Sequence, residues 1–88
     1  MENTIFRLKP CVTLTEQDGR VGVSLAGSTR FAKNAWQASI LRTLIEQAQS
    51  LEGLAAILHL GNGSPLDEAA EALELAAFIL DFDYYLES

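Results

Sequence analysis

Among its 88 residues the chain has one cysteine, Cys11, and one histidine, His59. A single thiol cannot close an internal disulfide and fits a reducing compartment. Neither residue has a companion at zinc-ligand spacing or a partner for nucleophilic catalysis, so no metal ligand, catalytic residue or cofactor is expected. Cations are scarce as well: six Lys and Arg stand against twelve Asp and Glu, a net charge of −6. That field repels nucleic-acid phosphate and anionic membrane surfaces. No apolar run approaches the ~20 residues of a membrane span, and Met1-Glu2-Asn3-Thr4 lacks the basic start of a secretory signal. The expectation is a non-catalytic cytoplasmic protein whose partners are peptides, proteins or neutral small molecules. Repeats, low-complexity runs and linkers are also missing, which predicts one domain over residues 1–88.

Hydrophobic periodicity organises what is there. Phe6, Leu8, Val12 and Leu14 share one parity, predicting an extended region over residues 5–16 with a kink or edge at Pro10. Gln17-Asp18-Gly19 suits a hairpin turn and leads into Val21, Val23 and Leu25, which alternate with Arg20, Gly22 and Ser24. Ala26, Gly27 and Ser28 form a second turn, and Thr29 to Lys33 a third strand. At Asn34 the period becomes helical, with Asn34 and Gln37 as a capping pair. Trp36, Ile40, Leu41, Leu44, Ile45 and Ala48 then gather on one face. Ser50 caps a second helix, residues 51–58, packed through Leu51, Leu54, Ala55 and Leu58 and ended by Leu60-Gly61-Asn62-Gly63. The fold class is α+β, a three-stranded antiparallel meander followed by three helices.

The third helix is expected over residues 65–81, with Ser64 as N-cap, Pro65 at its first position and Asp67 facing the free amides. On an ideal wheel Ala69, Ala72, Leu73, Ala76, Ile79 and Leu80 form the core face. Leu75, Phe78 and Phe82 then fall on the opposite arc, among Glu68, Glu71 and Glu74, where either a ligand or burial against the N-terminal strand or a dimer partner would cover them. Residues 83–87 fit either more helix or a short strand. Gly61-Asn62-Gly63-Ser64-Pro65 lacks the Gly-Lys-Ser/Thr end of a phosphate loop and reads as a helix connection. Two features point to binding: the edge of the last strand, free to take another strand unless Arg30 and Lys33 protect it, and the apolar and acidic stripe of the third helix.

Lys33-Asn34-Ala35-Trp36-Gln37-Ala38-Ser39-Ile40-Leu41-Arg42 resembles the sheet-to-helix junction of the PqqD-like family. Ser50-Leu51-Glu52-Gly53-Leu54-Ala55 is similar to that family's second helix. These are small winged-helix domains, the recognition elements that bind leaders of ribosomally made, modified peptides. The chain departs from the pattern in three places: Lys33 stands for a usual Leu, Ile45-Glu46-Gln47 for the Asp-Gly that often closes the first helix, and no Gly-Leu follows the last. The resemblance implies a leader peptide added antiparallel to Thr29, Arg30, Phe31, Ala32 and Lys33 and lying against the third helix. There Glu68, Glu71, Leu75, Phe78 and Phe82 are the expected contacts. It also implies delivery of the precursor to a modifying enzyme, in many systems a radical S-adenosylmethionine enzyme. The chain itself is expected to be a monomer or weak homodimer.

Two other classes are compatible with parts of the sequence. A winged-helix DNA-binding regulator shares the fold class but needs a basic recognition helix, and here the third helix is acidic. A degenerate carrier protein is suggested by Gln49-Ser50-Leu51, although the Asp that precedes a carrier's attachment serine is absent and the first third is rich in strand.

Overall fold

The computed structural model describes residues 4–62 and 67–87. The meander forms as expected. Its strands are β2 (Thr13–Gln17), β3 (Arg20–Leu25) and β4 (Ser28–Phe31), paired antiparallel in the order β2-β3-β4. Both connections are two-residue turns, between the facing pairs Gln17 and Arg20 and Leu25 and Ser28. Asp18 and Gly19 have φ of 53° and 76°, Ala26 and Gly27 of 51° and 84°. Positive φ at both central positions matches the turn to the right-handed twist of the strands. Asp-Gly meets that demand cheaply; Ala26 carries the steric cost of a left-handed alanine.

The extended region expected over residues 5–16 is two strands, not one, and only the second, β2, belongs to the meander. β1 (Ile5–Leu8) ends in a tight turn in which the Val12 amide donates to the Lys9 carbonyl at 3.0 Å. On the N-terminal side of that turn β1 stands apart from the meander and pairs with β5 (Gln49–Ser50) and β6 (Leu86–Glu87). A second sheet, in the order β5-β1-β6, results. The undecided C-terminal stretch is therefore a 3-10 turn, Asp83–Tyr85, followed by a strand.

Helix α1 (Ala35–Glu46) starts where its caps dictate. The Asn34 side chain accepts from the Gln37 amide at 3.0 Å, while Gln37 Oε1 accepts from the Lys33 amide at 2.8 Å. That reciprocal pair explains why Gln37 is buried among hydrophobic neighbours. Trp36, Ile40, Leu41 and Leu44 are buried as the wheel requires; Ile45 and Ala48 are exposed, so the core face is narrower than expected. Helix α2 (Leu51–Asn62) is capped by Ser50, whose Oγ accepts from the Gly53 amide at 3.1 Å. It buries Leu54 and Leu58, leaves Leu51 about half exposed, and continues through Gly61 to Asn62 instead of stopping near Leu58.

Helix α3 (Glu68–Asp81) requires the largest correction. Its N-cap is Asp67, which accepts from the Ala70 amide at 2.7 Å; the expected start at Ser64 and Pro65 lies outside the described residues. Its buried face is Leu75, Phe78 and Phe82, the three side chains that the wheel set apart from the core. Leu73 and Leu80, expected inside, are 72% and 77% exposed. Volume decides between the two arcs. Phe78 lies 6.2 Å from the Trp36 ring and stacks on Phe82 at 4.9 Å, and Phe82 reaches Tyr85 at 6.2 Å. The two rings join Trp36 and Tyr85 in one aromatic cluster, whereas half of the opposite arc is alanine, so the helix turns the rings inward. Among the described residues no helix is long and apolar enough to cross a membrane.

Candidate functional site

β4 ends its sheet among the described residues, and none of these places a strand on the other side of its backbone. The parity of that side follows from one bond: the Ala32 amide donates to the Val21 carbonyl at 2.8 Å. Hydrogen-bonded pairs alternate along an antiparallel ladder, so Arg30 and Ser28 bond toward β3, and Thr29 and Phe31 direct their N–H and C=O groups outward. Lys33 is not part of this edge, because its amide closes onto Gln37. The exposed backbone groups form a short template for another strand.

Side chains on β4 divide between the two faces of the sheet. Thr29 shares a 2.7 Å hydroxyl contact with Ser24, and Phe31 lies across Gly22 under the Arg20 guanidinium, which is 4.6 Å from the ring centroid. Both therefore face away from α3. Arg30, paired with the fully buried Val23, shares the inner face. A groove of about 690 Å³ runs between Ser28, Thr29 and Arg30 on one side and Leu80, Asp81 and Tyr84 on the other. Lys33 Nζ meets Asp81 Oδ2 at 2.9 Å and ties the segment that follows β4 to the end of α3.

The ten residues expected to bind peptide are thus not brought together. Thr29 and Arg30 line the groove, Phe31 contributes backbone, and Ala32 and Lys33 adjoin it. Phe78 and Phe82 are core residues at 0% and 1% exposure and present no surface to a ligand. Glu68, Glu71 and Leu75 line a different cleft, on the flank of α3 that meets β1 and α2. Leu80 and Tyr84 supply the apolar wall of the β4 groove in their place. Periodicity did mark Leu80 as apolar and helical, but on the wrong side.

Other candidates have structural employment. His59 Nε2 and Glu71 Oε2 lie 2.6 Å apart, linking α2 to α3. Ser50, the carrier-like serine, is half buried and holds the start of α2. Cys11 is exposed within the turn that follows β1. Among the described residues no group of three or more His, Cys, Asp or Glu side chains could hold a metal ion. The chain matches no protein-family model, no curated protein and no solved structure.

Proposed function

We propose that the chain is a cytoplasmic, non-catalytic, PqqD-like winged-helix adaptor that binds the leader of a ribosomally made precursor by strand addition and presents it to a modifying enzyme, in many such systems a radical S-adenosylmethionine enzyme. The observation that carries this reading is the edge of β4, unpaired among the described residues, beside a groove walled by α3. Main-chain bonds from Thr29 and Phe31 supply affinity with little side-chain demand, and Leu80, Tyr84 and Arg30 supply the selective contacts. Acids at Glu68, Glu71, Glu74 and Asp81 and the lack of any Lys or Arg on α3 speak against a DNA-reading helix. The capping role of Ser50 speaks against a carrier.

The test starts from a short precursor reading frame encoded beside this chain; its absence counts against the proposal. Titrating 15N-labelled protein with the N-terminal segment of that precursor should move the amide signals of Thr29 and Phe31 most. Phe31→Pro, which deletes one outward donor, should weaken binding at least tenfold while the helical circular dichroism persists. Unmoved β4 signals at saturation refute strand addition.

A further inference from the structure

A second cleft, of about 440 Å³, lies on the other flank of α3, where β1 and α2 form the facing wall. Phe6, Ala55, Leu75 and Ile79 make its floor, and Glu52, Glu68 and Glu71 stand around it, with no Lys or Arg among the described lining residues. We propose that this cleft docks a basic amphipathic helix of a partner protein. The α3 residues that line it run from Glu68 to Ile79, which at 1.5 Å per residue is roughly 16 Å, or three turns. That length suits a helix presenting apolar anchors at i, i+3 or i+4, and i+7. An added strand does not suit, because β1 pairs with β5 on one side and β6 on the other.

Charge selects the sign of the occupant. Acids around an apolar floor favour flanking Lys and Arg, and like charges across an interface are costly. A second copy of this chain fails that requirement: α1 carries one basic residue, Arg42, and α2 and α3 carry no Lys or Arg. The cleft and the β4 groove occupy different flanks of α3, so a leader and a partner helix can be held at once. This inference does not depend on the leader reading.

The probe is a fluorescein-labelled 14-residue helix with Leu at helical spacing and Lys elsewhere, and its counterpart has Glu for every Lys. Anisotropy should show saturable binding of the Lys form only, weakening as salt rises, and 15N spectra should shift at Ala55, Ala72 and Leu75. Ala72→Arg, at an exposed lining position, should lower affinity at least tenfold, as should Glu52→Lys combined with Glu68→Lys. Leu73→Arg, on the separate exposed face of α3, should leave affinity unchanged. No saturable binding, equal affinity for the Glu form, or loss in Leu73→Arg but not in Ala72→Arg would each overturn the proposal.

Discussion

Replacing Phe78 with alanine tests the orientation of α3 directly. The ring has no exposed surface and sits between Trp36 and Phe82. Removing a buried Phe costs about 3–5 kcal/mol, made of lost transfer energy and the cavity left behind. Two aromatic contacts of about 0.5–1.5 kcal/mol each place the expected loss toward the upper end. A domain of this size has a total stability of about 4–13 kcal/mol, so the substitution removes about a quarter of it or more. In urea, with a slope of about 1–1.5 kcal/mol/M, a loss of about 4 kcal/mol moves the midpoint by about 3–4 M. Leu80→Ser on the same helix should cost less than about 0.5 kcal/mol, because its side chain is already in water. If Leu80→Ser proves the more damaging change, or if Phe78→Ala costs under about 1 kcal/mol, the helix faces the other way and the core assignment fails. Phe78→Leu, which leaves a smaller cavity, keeps the comparison readable should the alanine variant be unfolded at the outset.

Two further outcomes concern backbone. Ala26→Asn places a residue that tolerates positive φ in the β3–β4 turn and should raise stability by about 0.5–1 kcal/mol, seen in calorimetry as several degrees in Tm; a fall in Tm refutes the left-handed assignment. Gly22→Ala would put a Cβ 2.8 Å from both the Arg30 carbonyl and the Phe31 ring, costing about 1–3 kcal/mol by denaturation; Phe31→Ala in the same chain should not restore the loss, because the carbonyl remains.

How far the fold was legible depended on whether a local rule had a competitor. Asp18-Gly19 offers one turn solution, and Asn34 with Gln37 one cap, so both appear where the sequence put them. α3 offered two. Its apolar residues encircle the helix, and periodicity alone cannot rank an arc of alanines and leucines against an arc of phenylalanines. The acids misled as well: Glu71 is half buried against His59 and Glu68 lines a cleft, so neither marks a simple solvent face. The start of the same helix is read from Ser64 and Pro65, which lie outside the described residues, and the cap that the structure describes is Asp67. β1 was invisible as a separate strand because its partners, two residues each at β5 and β6, carry no periodic signal. The candidate site followed suit: the β4 edge was readable from the meander, while its opposite wall depended on how α3 is rotated.

The position of β1 between β5 and β6 sets an order for assembly. The meander closes through neighbours a few residues apart, whereas residues 7 and 8 must find residues 86 and 87 across about 80 intervening positions. Loop-closure entropy rises with that separation and is lost before the contact returns anything, so the second sheet forms late, after the hairpins and α1 have collapsed. Late contacts contribute little to the folding rate and much to the unfolding rate. Residues 86–87 therefore act as a clasp: weakening them should leave the speed of folding nearly unchanged and shorten the lifetime of the folded state, opening hydrogen exchange first along β1.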